Sequence, residues 1–338
     1  MKPLRSTLPD DSLVPDDESI QGKWLRRSGF ILMGMVSVYA AATLWAGRGG
    51  WQLALTAISP DDILIIVGLV SIGFLLRAGR WHYYIRVLQW DVPLLHSILA
   101  FVASIALTAT PAKSGELAKA VLLRSQHRIS LSQGAGVLLI ERLGDLFAVI
   151  VLTIGGLTLF IDLSSYVLVS VIAVGVVALL AAESRVVLVR AQAIPRLRTA
   201  SLRLTNMLDA VRLLMRPIPL AIGGSVALAA WSCEALAFHY LVGRLGIHSS
   251  LLISFSIYGL STLAGALSML PGGLGGFEAV MAFLLTRLAA PTSVATVAIV
   301  IFRLCTLWLF SLIGVVFMSG WMIFFTKPRR PNLVVEVQ

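Results

Sequence analysis

The sequence predicts an all-α, polytopic membrane protein of about six transmembrane helices plus two oppositely entering re-entrant helical hairpins, arranged as an inverted repeat. Three observations carry that expectation. First, the 338 residues are 58% hydrophobic and 13% charged, against about 25% charged in a typical soluble domain, and the mean hydropathy is +0.90. Second, the basic residues behind the net charge of +10 stand between hydrophobic runs, where they set orientation in the membrane, so nucleic acid is not an expected partner. Third, a proline-glycine break followed by an acid occurs twice, as Thr110-Pro-Ala-Lys-Ser-Gly-Glu116 and as Ser268-Met-Leu-Pro-Gly-Gly-Leu-Gly-Gly-Phe-Glu278.

Taken in order, the chain opens with a polar segment, 1–28, expected in the cytoplasm and without a cleavable signal peptide. Phe30–Ala46 is uncharged and follows Lys23, Arg26 and Arg27, which makes it a first span. Ile63–Leu76 continues through Arg77, Arg80, Trp81, His82 and Tyr84, side chains that suit a cytoplasmic interface. Leu94–Thr110 ends at Pro111 and precedes Lys113, Lys119, Arg124 and Arg128. A full crossing would export those charges, so the expectation is a hairpin that enters and leaves on the cytoplasmic side. Gly136–Phe160 and Tyr166–Ala182 are the next spans, and the arginine-rich stretch from Glu183 to Pro217 is a cytoplasmic loop. Ile218–Val242 crosses outward. Leu251–Leu270 and Phe277–Leu288 form the second hairpin, because the latter arm is too short to span alone. Val294–Phe325 is the last span, and 326–338 is a cytoplasmic tail.

On this reading 29–325 is one membrane domain, with repeat halves of about 29–162 and 165–325. Glu141-Arg142 follows the first break as Phe302-Arg303 follows the second, at nearly the same separation from Pro111 and from Pro271. Inverted repeats of this kind place a substrate site near the midplane, where broken helices meet.

The candidate site residues are therefore those of the breaks and the buried charges. Gly272 and Gly273 sit in a backbone break, which at membrane depth must be buried in protein or line a wet cavity. They open a half-helix whose N–H groups can face an anion, the alternative being a tight packing kink. Arg142 and Arg303 read as the basic residues well inside spans, where a charge costs about 2.5–3.5 kcal/mol on insertion scales. Two readings stand side by side: an internal ion pair with Glu116, Glu141, Asp145 or Glu278, or a bidentate grip on a lipid phosphate that those acids orient. Lys113, in the first break, is either a further phosphate contact or an interfacial anchor. Glu234 and His239 share one span and read as a packed pair, with a proton relay as the alternative. Cys233 and Cys305 lie in apolar segments without metal spacing, so neither a metal nor a cofactor is expected. No catalytic motif is found in the soluble segments, so the chain is expected not to be an enzyme.

The combination of Pro-x-Lys-x-Gly-Glu, Glu-Arg-x-x-Asp, Pro-Gly-Gly-x-Gly-x-x-Glu and a late intramembrane arginine resembles the lysylphosphatidylglycerol synthase transmembrane-region family, also called flippase-like, over about Phe30–Phe325. The resemblance implies a bacterial inner-membrane lipid translocase with cytoplasmic termini. Its substrate would be an anionic phospholipid or a polyisoprenoid-linked lipid, and a lipid-modifying enzyme a possible partner. It implies substrate-binding roles for Lys113, Glu116, Glu141, Arg142, Asp145, Glu278 and Arg303. Lysine at 113, where arginine is common in the family, keeps the charge but loses the fork. Fused members carry an aminoacyl-transferase domain after the membrane part. Because this chain stops at Gln338, a stand-alone member without that domain is expected. The rival readings are a membrane-embedded lipid-phosphate transferase and a non-transporting scaffold of a lipid pathway.

Overall fold

The computed structural model describes residues 51–52, 55–108, 115–127, 129–157 and 198–325. These residues form helices and their connections, with no strand among them. The expected spans Phe30–Ala46 and Tyr166–Ala182, Pro111 and Lys113 of the first break, and both chain ends lie outside the described residues.

Helix α1 (Pro60–Val87, 28 residues) begins with a proline in its first turn and a reciprocal cap, in which Asp62 N–H donates to the Ser59 hydroxyl and Ser59 N–H donates to the Asp62 carboxylate. It runs unbroken through Arg77 to Tyr84. Three of those side chains turn into the protein: Arg80, Trp81 and Tyr84 are at most 3% exposed. The cause is a set of acids on neighbouring helices that draws the arginines inward.

Two short helices, α2 (Leu94–Ile105) and α3 (Ala118–His127), flank the first break and pack on each other, with His96 Nδ1 3.0 Å from His127 Nε2. Helix α4 (Leu131–Leu157) follows, with Glu141, Arg142 and Asp145 in its middle. The second part of the arginine-rich stretch is not loop but a helix, α5 (Arg198–Leu214), laid against α4. Its polar face hides an apolar side: Leu208, Ala210, Val211 and Leu214 are buried, and Met207 lies against Gly136.

Helix α6 (Pro217–Arg244) is again 28 residues long and again opens with proline. It packs antiparallel to α1, since Asp62 meets Tyr240, Gly73 meets Ala230 and Tyr84 meets Gly223. Small residues permit the close approach, for a methyl group on Gly73 would meet the Ala230 carbonyl oxygen at 2.9 Å. Helix α7 (Leu251–Leu267) then leads through a single 3₁₀ turn at Pro271–Gly273 into α8 (Gly276–Arg287), which folds back on α7. Gly272, Gly273 and Gly275 hold φ of 64°, 70° and 81°, backbone that residues with a Cβ rarely adopt. The last helix is continuous but irregular: α9 (Thr292–Arg303), a π turn (Leu304–Trp308) and α10 (Leu309–Phe325).

Two further contacts tie the front of the chain to its back. Helix α4 lies on α7, where the Ser256 hydroxyl donates to the Thr153 carbonyl at 2.6 Å, and α2 lies on α10 at Gly314. Pro60–Val87, Pro217–Arg244 and Thr292–Ile323 are long and apolar enough to cross a membrane.

Candidate functional site

The short arms and the long helices enclose a cavity of about 420 Å³ whose wall is both charged and apolar. From α1 come Phe74, Arg77 and Arg80. The first break and its arms supply Phe101, Ser104, Thr108, Glu116 and Lys119. Helix α4 adds Glu141, Arg142 and Asp145, and α6 adds Trp231 and Glu234. From the second half come Tyr258, Thr262, Gly272, Gly273, Phe277, Phe302 and Arg303. A hollow of about 450 Å³ lies over the C-terminal end of α6, lined by His239, Gly243, Ile247, His248, Ser249 and Ser250. It brings together no ion pair, so the chemistry points to the first cavity.

Most of the residues expected at a site thus meet in one place. Glu116, Glu141, Arg142, Asp145, Gly272, Gly273 and Arg303 all line the cavity, and Glu278 stands one contact behind it, bonded to Arg303. Lys113 is outside the described residues.

The same pairing is made twice. In the first half Arg142 Nη2 donates to Glu116 at 2.7 Å, and in the second half Arg303 Nε donates to Glu278, also at 2.7 Å. In each case the acid opens the arm after the break and the arginine comes from the next long helix. The internal ion pair, one of the two readings of these arginines, is therefore what the protein adopts.

Around the first pair the charges form a net. Asp145 takes Arg142 at 3.1 Å and Arg80 at 2.8 Å, while Glu141 takes the Lys119 ammonium. Lys119 and Glu141 are 2% and 1% exposed, with Lys119 between the faces of Trp81 (4.5 Å to the ring centroid) and Phe101 (5.3 Å). Arg142 is the more accessible member, its side chain 31% exposed.

Around the second pair the partners are backbone and rings. Arg303 Nη2 donates to the Gly272 carbonyl at 3.0 Å, and its guanidinium lies 4.0 Å from the centroid of Phe277. Glu278 uses its other oxygen to accept the Gly275 N–H at 2.7 Å, so one carboxylate both caps α8 and holds Arg303. The break therefore meets its arginine through a carbonyl. The N–H groups of Gly273 and Leu274 are spent on Leu270 and Pro271, which differs from the open ring of donors the glycines suggest. The glycines themselves are required by packing, as Gly265 lies against Gly273 and Gly276 against Ala264.

A third cluster lies between the two. Arg77 pairs with Glu234, which also accepts the Tyr258 hydroxyl, and the Arg77 guanidinium rests 4.5 Å from the Trp231 ring centroid and 5.4 Å from that of Phe74. Glu234 and His239 do not share a partner: His239 Nδ1 bonds the Ser254 hydroxyl at 2.8 Å.

Sequence reasoning missed Arg77, Arg80 and Lys119 as site residues. Arg77 and Arg80 follow an apolar run and read as interfacial, and Lys119 reads as one of the charges that set orientation after the first break. The signal that marks them is on other helices: buried cations need acids, and Asp145, Glu141 and Glu234 would otherwise be unmatched inside apolar segments.

The comparisons agree with these features. The model of a family described as "Lysylphosphatidylglycerol synthase TM region" matches residues 30–314. A "UPF0104 membrane protein" of Methanothermobacter thermautotrophicus is 26% identical over 313 residues, which cover 84% of this chain and 92% of that protein. The "Phosphatidylglycerol lysyltransferase" of Bacillus subtilis is 25% identical over 104 residues, 31% of this chain but only 12% of the longer protein. With its long apolar helices and a family match that covers most of its length, the chain is a multi-pass membrane protein and belongs to the lysylphosphatidylglycerol synthase transmembrane-region family.

Proposed function

We propose that this protein is a lipid translocase of the cytoplasmic membrane, moving an anionic phospholipid or a polyisoprenoid-linked lipid with its headgroup in the charged cavity. The observation that carries the reading is that Arg142 and Arg303, each paired with a glutamate and contributed by different halves of the chain, face one cavity that also has apolar walls. A phosphate can displace a carboxylate on a guanidinium with the same two-point geometry. Apolar side chains such as Leu146, Val149, Leu263 and Leu307 give an acyl or prenyl chain a surface to follow. The Bacillus relative, a phosphatidylglycerol lysyltransferase, fits an anionic phospholipid and an enzyme partner that modifies it. The reading needs no covalent step from this chain.

The same proposal includes six spans, two hairpins of opposite entry and cytoplasmic termini. In support, Gly73 and Ala230, and Arg77 and Glu234, hold equal positions along α1 and α6, and these equal positions meet. Antiparallel helices related by a twofold axis in the membrane plane meet in this way. The α4–α7 and α2–α10 contacts are the matching cross-pairs. Helices α2, α3 and α8, of 12, 10 and 12 residues, are each shorter than the roughly 20 needed to cross.

The test is headgroup accessibility in liposomes that hold the purified full chain and fluorescent phosphatidylglycerol. Wild type is expected to equilibrate the probe between leaflets, with Arg142→Ala and Arg303→Ala slowed at least about tenfold, the loss of about 1.4 kcal/mol. Wild type no faster than empty liposomes across phosphatidylglycerol, phosphatidic acid and a polyprenyl phosphate would sink the proposal.

A further inference from the structure

The Arg77–Glu234 cluster sits where α1 and α6 cross. Arg80 and Arg142 also keep buried nitrogens without an acceptor among the described residues, but the carboxylate on Arg77 is in addition held by a tyrosine hydroxyl. Glu234 is 8% exposed. Its charged partner is Arg77, its second oxygen is held by the Tyr258 hydroxyl, and Arg77 retains a buried nitrogen, Nη2, without an acceptor among the described residues. A buried guanidinium with an unused edge is half of a bidentate anion site. The groups that face Glu234 from the packed elements are Arg77 of α1 and Tyr258 of α7. Asp145 of α4 acts on the same arginine, α9 presents Phe302 to Phe238, and Cys233 is the neighbour on α6 itself.

An anionic headgroup moving past this point meets Arg77 and competes with Glu234 for it. A carboxylate left in an apolar interior without its cation is strongly disfavoured and takes up a proton instead. Tyr258 remains beside it, and its hydroxyl can turn from donor to acceptor for the new carboxylic acid. We propose that Glu234 couples headgroup movement to protons: the anionic headgroup replaces Glu234 on Arg77, and Glu234 binds one proton from the aqueous phase on the side of entry. On exit to the other side the headgroup leaves, Glu234 releases that proton to the same side, and the Arg77 pair re-forms. One negative charge and one proton thus cross together, so the transported unit is neutral. This inference rests on the translocase reading and adds its energy source.

The experiment uses vesicles of phosphatidylcholine with fluorescent phosphatidylglycerol as probe, the full-length protein, and potassium with valinomycin to clamp the membrane potential. A pH gradient is imposed and the leaflet distribution is read at steady state. Wild type is expected to enrich the probe in the leaflet facing the alkaline compartment, by about tenfold per pH unit for one proton per lipid. Glu234→Gln, close in shape and unable to take up the proton, is expected to give an even distribution under the same gradient, whatever its rate. Glu234→Asp restores the carboxylate and is expected to restore the asymmetry, which separates loss of coupling from loss of fold. An even distribution in a wild type that does equilibrate the probe overturns proton coupling and leaves translocation standing. A gradient response that survives in Glu234→Gln overturns the assignment to Glu234. No equilibration in wild type removes translocation of this lipid and the coupling with it.

Discussion

Arg142 and Arg303 make the same bond to the same kind of residue, yet their surroundings differ. Arg142 belongs to a net in which Glu116, Asp145, Arg80, Glu141 and Lys119 are linked across α1, α3 and α4. Arg303 has one acid, one carbonyl and one ring. The first arrangement spreads charge over several helices and holds them together. The second couples a single guanidinium to a backbone break whose shape depends on glycine. The same arginine–glutamate bond thus serves two ends, electrostatic rigidity in one place and, in the other, a joint whose geometry is set by the main chain.

The largest expected effect separates the two halves by stability. Lys119→Met leaves Glu141 buried without its cation, and such a loss costs about 3–5 kcal/mol. Glu278→Gln should cost much less, because Glu278 is 22% exposed and Arg303 keeps Gly272 and Phe277. Thermal denaturation of the two variants in the same detergent decides the matter, and equal losses would erase the contrast.

Next in size is the glycine break. Gly273→Ala places a Cβ 3.1 Å from the Gly265 backbone at a φ of +70°, and such a strained residue costs about 1–3 kcal/mol. Its mark should be slower lipid movement together with a lower melting temperature. A variant that melts normally and moves lipid normally would show that the break tolerates reshaping.

A conservative exchange probes the two arginines directly. Arg303→Lys forfeits the bond to Gly272 and the flat contact with Phe277, worth about 1–2 kcal/mol together. Arg142→Lys keeps a single cation between Glu116 and Asp145 at a partly exposed site and should cost less than about 1 kcal/mol. The reverse order, read by denaturation, would mean that the net depends on the guanidinium fork and not on charge alone.

The smallest effect lies at the His96–His127 contact between α2 and α3. Burial, and then the His96 imidazole beside it, hold His127 below its usual value of 6.5, against an opposing pull from Asp91. The folded protein therefore favours neutral His127. Its contribution to stability is complete above pH 6.5 and declines as the pH falls from 6.5 through the lower folded value. Melting temperature followed against pH should show this slope in wild type and a flatter line in His127→Gln.

The apolar elements were legible because composition and length determine them: Ile218–Val242 against the observed Pro217–Arg244 for a long helix, and Phe277–Leu288 against Gly276–Arg287 for a short arm. That Arg142 and Arg303 meet either an internal acid or a phosphate was legible from the matching spacing of the two breaks. Which of Glu116, Glu141, Asp145 and Glu278 each takes is decided by the fold, which pairs Arg142 with Glu116 and Arg303 with Glu278. Arg77, Arg80 and Lys119 were not legible. Whether a lysine beside an apolar run anchors in the interface or turns inward depends on what another helix offers it, and Lys119 turns inward for Glu141, which linear order does not place beside it. The helix Arg198–Leu214 was hidden for the opposite reason, its arginines masking the apolar face that packs on α4.

Among the described residues, the cavity's arginines and lysine at 77, 80, 119, 142 and 303 are matched one for one by acids at 116, 141, 145, 234 and 278. A transmembrane voltage pulls on net charge, at about 2.3 kcal/mol per elementary charge per 100 mV. A cavity so balanced gives a transmembrane voltage little to hold. On the proposed coupling the balance survives loading as well, because the proton taken up on Glu234 offsets the charge of an anionic headgroup, and a voltage gains a handle only on a headgroup that enters without that proton.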